Sequence, residues 1–137
     1  MSGLSRFSVS VDGSLLKRFD SHIGALGYPT RSKAIADLMR ESLVTKEWRS
    51  GKDVAAAIIL VYDHHRSGLS GRLTRIQHEY YDIIVSSQHV HLDHDNCLEI
   101  VVVRGKPRGV ENLARKLKAV KGVKYASLAA ASTGRGL

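Results

Sequence analysis

Hydrophobic residues follow two different rhythms along this chain. Near the start, Phe7, Val9 and Val11 alternate with Arg6, Ser8 and Ser10. A period of two predicts a short strand with one apolar and one polar face. Asp12 or Ser14 then offers a helix N-cap, and Leu15, Leu16, Phe19 and Ile23 follow at helical spacing. Gly24 and Gly27 can end that helix, and Tyr28-Pro29 can turn the chain. Thr30 can cap a second helix with Ile35, Leu38, Met39 and Leu43 on one face. Residues 46–53 are a polar stretch in which Gly51 is the natural hinge, and Trp48 ends the second helix and packs locally.

From residue 54 the pattern changes. Val54–Tyr62 is an apolar run suited to a buried strand, and Leu69, Leu73, Ile76 and Tyr80 mark a helix over 67–81. Ile83–His91 and Cys97–Val103 read as strands joined by a turn at Asp93–Asn96. Val110, Leu113, Leu117 and Val120 give a basic helix over 109–121, and Val123–Leu128 is a last strand. The order βαββαβ predicts a ferredoxin-like sandwich whose open sheet face can serve as a subunit interface. The expected class is α+β: a βαα domain over 1–48, a linker over 49–53 and a βαββαβ domain over 54–137.

Composition narrows the function classes. At 137 residues, 43% hydrophobic and 25% charged, the chain should fold. It has no run of apolar residues long enough to cross a bilayer and no signal-peptide pattern, so a cytoplasmic location without a membrane partner is expected. A single cysteine excludes an intrachain disulfide and fits a reducing compartment. The net charge of +8 favours an anionic partner, with nucleic acid first. No nucleophile constellation or phosphate-binding loop occurs, so an enzyme is not expected.

The βαα segment is too small to bury a core by itself, and a lone strand leaves both edges open. Dimerisation answers both problems. Two strands would pair antiparallel, four helices would cover their apolar face, and Arg6, Ser8 and Ser10 would appear twice on the outer face. A two-stranded ribbon fits the DNA major groove, where arginine reads guanine and hydroxyls meet base edges or phosphates. Arg31 and Ser32, at the start of the second helix, could hold a phosphate. Lys52, Arg66, Arg72, Lys116, Lys118 and Lys121 could add further phosphate contacts. The run from Arg6 to Asp12, then Leu15-Leu16, then Gly27-Tyr-Pro-Thr-Arg-Ser-Lys-Ala-Ile35, resembles a ribbon-helix-helix DNA-binding domain.

Six of the seven histidines lie between residues 64 and 94. His89 and His91 are two apart on a predicted strand, so they leave the same face. Cys97 follows a short polar turn that can bring it alongside them. Two imidazoles and a thiolate suit a late first-row metal, with His78 as candidate fourth ligand. Nickel, copper and zinc all fit this donor set: a planar arrangement would favour Ni(II) or Cu(II), a tetrahedral one zinc. Tyr62 and Glu99 are candidate partners for the outer nitrogens of the ligands. His94, flanked by Asp93 and Asp95, could orient the turn, support the site or bind a secondary ion, and His64 and His65 invite the same reading.

Gln77-His78, followed by His89-Val-His-Leu-Asp-His94-Asp-Asn-Cys97-Leu-Glu-Ile100, is similar to the metal motif of the nickel-responsive transcriptional regulators, the NikR family. The resemblance covers both halves of the chain in the family's order. It implies a ribbon-helix-helix domain followed by an ACT-like regulatory domain. It further implies one Ni(2+) per chain, held in a square plane by His78, His89, His91 and Cys97, with His78 supplied across a subunit interface. The implied assembly is a tetramer, a dimer of dimers, that represses transcription from a palindromic double-stranded operator. Glu79-Tyr80-Tyr81 stands where some relatives carry a histidine-rich run, which leaves accessory sites open. The alternative expectation is a ribbon-helix-helix regulator that answers copper, zinc, or a small molecule such as an amino acid.

Overall fold

The computed structural model describes residues 3–137. It contains eight elements: α1 (Gly13–Ala25), α2 (Arg31–Ser50), β1 (Val54–Asp63), α3 (Leu69–Glu79), β2 (Ile84–His91), β3 (Asn96–Gly105), α4 (Pro107–Lys118) and β4 (Val123–Ala130). They belong to two compact units, Met1–Glu41 and Ser42–Leu137.

In the first unit, Asp12 caps α1. Its Oδ1 accepts from the backbone N–H of Ser14 at 2.9 Å and of Leu15 at 3.2 Å. The Ser14 hydroxyl and those two amides hold the carboxyl below its ordinary range. At the other end Gly27 takes φ +82°, and Tyr28 N–H reaches back to the Ile23 carbonyl at 3.0 Å. That left-handed residue closes the last turn, which explains why the helix stops here rather than at Gly24. The Thr30 hydroxyl caps α2 by accepting from Lys33 N–H at 3.1 Å. The predicted strand over 5–11 is not formed in the single chain, where these residues are exposed and have no regular structure. A strand exists only through a ladder, and among the described residues no segment pairs with this one.

In the second unit, β1 to β4 form one antiparallel sheet in the order β2-β3-β1-β4. The central strand β1 alternates strictly, with Val54, Ala56, Ile58, Leu60 and Tyr62 buried. Those residues face α3 and α4, whose Leu69, Leu73, Val110, Leu113 and Leu117 complete the core with Val101 and Val103 of β3. The opposite face carries Ala55, Ala57, Ile59, Val61, Leu98 and Ile100, all half-buried, and exposed Val102. The helices are shorter or shifted relative to expectation. Gly68 at φ +74° starts α3 late, and Pro107 begins α4 two residues early, a position where its missing N–H costs nothing. Trp48, at the end of α2, donates from Nε1 to the Ala131 carbonyl at 2.8 Å, and Glu47 accepts from Ser132 at 3.1 Å. Trp48 thus packs against a segment distant in sequence rather than locally.

Candidate metal centre

The site begins with the turn between β2 and β3. Asp93 Oδ1 accepts from the N–H of Asp95 at 2.9 Å and of Asn96 at 2.7 Å. The Asn96 amide adds bonds to both carboxylate oxygens at 3.1 and 3.0 Å. The Asn96 side chain, the two backbone N–H groups and the charge of Lys124 draw the Asp93 carboxyl down to about 2.

This turn sets the register. His91 stands opposite Cys97, and His89 opposite Glu99. Opposed residues share a face of the sheet, with Cβ atoms roughly 5 Å apart. Cys97 and Glu99 are buried on the helix-covered face, so His89 and His91 lie on that face too. On the other side of β3, Tyr62 stands opposite Cys97. Histidine, cysteine and tyrosine therefore form one row across three strands.

Glu99 is buried and polar, and its oxygens are well used. Oε1 accepts from the Tyr62 hydroxyl at 2.7 Å, and Oε2 accepts from Gln77 Nε2 at 2.7 Å. His89 Nε2 lies 3.5 Å from Glu99 Oε1, while its Nδ1 lies 3.4 Å from the Tyr62 hydroxyl. Burial first, then the hydrogen bond and charge of Glu99, then Cys97, push the Tyr62 hydroxyl up. Tyr62 therefore stays protonated and serves as a donor.

Register places His89, His91 and Cys97 on one face of the sheet within one chain. His78 is not among them: it is exposed in the last turn of α3. Tyr62 and Glu99 fall beside His89. His94 lies at the exposed turn, where its Nδ1 is 3.0 Å from Asp95 Oδ1. Two contributors escaped the sequence reading. Gln77 appeared there only as the neighbour of His78, yet it sits four residues after buried Leu73 on the inward stripe of α3, which was the available signal. The His64 ring meets His91 edge-on at 4.6 Å, a contact that needs the tertiary fold.

Among the expected DNA contacts, Arg6, Ser8 and Ser10 are exposed. Arg31 is engaged: its Nε and Nη2 bond the Asp20 carboxylate at 2.8 and 2.7 Å, holding that carboxyl below its ordinary range. Ser32 lies in the first turn of α2, which opens at Arg31. In the second unit, Lys116 pairs with Glu79 at 3.2 Å, and Arg72 donates to the Lys121 carbonyl at 3.2 Å.

The second unit is a small α+β domain whose helix-covered sheet face carries a thiol, two imidazoles and a buried carboxylate. The donor chemistry fits nickel, since imidazole and thiolate both suit it. The profile of the NikR C terminal nickel binding domain matches residues 55–131. Provisionally named nickel-responsive regulators align over nearly the whole chain. One from Syntrophus aciditrophicus is 49% identical, covering 98% of both chains. One from Chlorobium phaeobacteroides is 50% identical over 96% of this chain and 98% of its own. A third, from Solidesulfovibrio magneticus, is 51% identical over 95% and 94%. The chain belongs to the nickel-responsive regulator family, which is not a family of enzymes, and it carries that family's nickel-binding domain. In fold alone, it is similar to an uncharacterized protein from Thermotoga maritima (TM-score 0.53, 12% identity, covering 58% of this chain and 98% of that one). Among the described residues, no helix is long and apolar enough to cross a membrane.

Proposed function

We propose that the protein is a nickel-dependent repressor that binds DNA through its first unit and metal through its second, in the cytoplasm. The observation that carries this reading is the register that puts His91 opposite Cys97 with His89 on the same face. One chain would offer three donors there, and His78, exposed in the last turn of α3, would serve a neighbouring chain. Each chain would then contribute to two centres, with one metal per chain. When bound, nickel supplies the link between the thiolate and imidazoles of two protomers. Gln77 and Tyr62 hold Glu99, and Glu99 orients the His89 ring. That network joins the last turn of α3, which carries His78, to the edge strand that carries His89 and His91. Metal affinity and the arrangement of protomers are thereby coupled, and coupling is reciprocal: whatever metal favours in the DNA-competent tetramer, operator DNA favours in metal affinity.

The first unit supports the DNA-binding half of the proposal. Phe7, Val9, Leu38 and Met39 are 63, 62, 52 and 48% exposed in the single chain. A second copy, pairing its residues 5–11 with these, would cover them and turn Arg6, Ser8 and Ser10 into the major groove. Ser32 would sit near the backbone phosphates, and Arg31 would join it only by leaving Asp20. The open face of the sheet, with Ile59, Val61, Ile100 and Val102, is suited to joining two such dimers into a tetramer on a palindromic operator.

The test is an absorption titration of the full chain with Ni(II). A thiolate-to-nickel band should saturate at one metal per chain and vanish in Cys97→Ala. His78→Ala should lose the planar pattern while keeping the fold. Arg6→Ala should bind nickel normally and lose specific DNA binding. A band indifferent to Cys97, or operator affinity in Cys97→Ala equal to wild type, would overturn the reading.

A further inference from the structure

Residues 51–53 join α2 to β1, and Gly51 takes φ +78° there, in the left-handed region that glycine enters without cost. That makes it the natural pivot of the connection. α2 itself runs from Arg31 to Ser50 without glycine or proline, the usual sites of a kink. The boundary between the two units falls inside this helix, between Glu41 and Ser42, so its last turns belong to the sheet unit. A segment that follows β4 holds them there. The Ala131 carbonyl accepts from Trp48 Nε1–H at 2.8 Å, and Ala131 N–H donates to the Ala55 carbonyl at 2.9 Å. One residue thus grips the chain on both sides of Gly51. Next to it, the Ser132 hydroxyl donates to Glu47 Oε2 at 3.1 Å and accepts from Gly134 N–H at 3.0 Å. The Trp48 ring packs against the core of the sheet unit. Past the turn, Asp53 meets Lys106 Nζ at 3.2 Å.

We propose that Ala131 and Ser132 form a strap that locks the last turns of α2 to β1 and takes Gly51 out of use as a hinge. While the strap is closed, those turns and the sheet move as one body. When it opens, Gly51 becomes the pivot. The strap lies where opening is easy: Ala131 is exposed, and Glu47, Trp48 and Ser132 are half-buried. Each of its bonds can be exchanged for a bond to water at small net cost, and such segments open before the core does. The bearing on DNA rests on the repressor reading. α2 starts in the first unit and ends in the sheet unit, so the state of the strap sets how freely the first unit moves. A freer unit loses more entropy when it is held on an operator.

Trp48 is the sole tryptophan, so its fluorescence reports the strap without a label. The full chain is compared with a chain stopped after Ala130, with Ser132→Ala and with Trp48→Phe. Stopping after Ala130 should shift Trp48 emission to the red and raise its quenching by acrylamide. It should also speed amide exchange over residues 45–53 by more than about tenfold, the worth of one or two hydrogen bonds in a local opening. Ser132→Ala and Trp48→Phe should each speed that exchange by roughly threefold. Exchange at Ile58 and Val101, in the core, should not change. The proposal is overturned if the stopped chain keeps its core and matches the full chain in Trp48 emission and in exchange over 45–53. If the stopped chain loosens the core as well, the two point variants decide: unchanged exchange over 45–53 in both overturns it. These readouts need neither nickel nor DNA, so the strap can fail while the repressor reading stands, and hold while that reading falls. Where both hold, the stopped chain should bind operator more weakly and keep its thiolate-to-nickel band.

Discussion

The two units solve the same problem to different degrees. The sheet unit closes its own core: Val54, Ile58, Leu60, Leu69, Leu113 and Leu117 are all fully buried within one chain. In the first unit the buried apolar residues are Ile23 and Ala34, while Phe7, Val9, Leu15 and Leu38 stay half or more exposed. The same amphipathic logic wrote both segments. The difference is that β1 finds β3 and β4 within its own chain, and residues 5–11 find nothing. A segment with a sound hydrophobic pattern and no pairing among the described residues is what the proposed assembly would cover.

Substitutions can break that contrast. Leu113→Ala should cost the sheet unit about 3 kcal/mol, independent of protein concentration, since a buried leucine leaves a cavity; urea unfolding at two concentrations checks this. Leu38→Ala should cost about 2 kcal/mol if a second copy covers that position, with a midpoint that shifts on dilution. A cost under about 0.5 kcal/mol, the usual range for a solvated residue, would mean no copy packs there. Tyr62→Phe preserves volume but removes a donor from buried Glu99; a loss of about 1.5 kcal/mol is expected, because that oxygen keeps its desolvation cost. The smallest effect concerns acid. Asp93 is held near 2, below its ordinary 3.8, so its contribution is complete above the ordinary value. That contribution falls away as pH drops through about 2. Amide exchange at Asp95 and Asn96 should therefore quicken near that pH, and Asp93→Ala should show the quickened rate at every pH.

Periodicity made much of the fold legible. Every element from β1 to β4 was readable in kind and order; β1 and β3 carry alternating buried stripes, whereas the edge strands β2 and β4 are read from their flanking turns and β-forming residues. His89 and His91 could be put on one face from their spacing alone, and Cys97 beside them from the length of the turn. What the chain hid was pairwise and distant. The grip of Asp20 on Arg31 spans 11 residues between two helices, and the contact between His64 and His91 depends on β1 and β2 ending at the same edge of the fold. The Gln77–Glu99 bond joins a helix to a strand 22 residues on. Such contacts follow from packing, and no local pattern announces them.

The order of the strands has a consequence in time. β1 is central, yet it can pair only after residues 96–105 and 123–130 have been made. The β2–β3 hairpin is closed by a four-residue turn and needs neither; hairpins of this kind form in about 1–10 μs. On the ribosome, His89, His91 and Cys97 can therefore assemble once residue 105 has emerged, while α4 and β4 are still unmade. The thiol that ends up buried spends its first moments in the open, with its imidazole neighbours already in register.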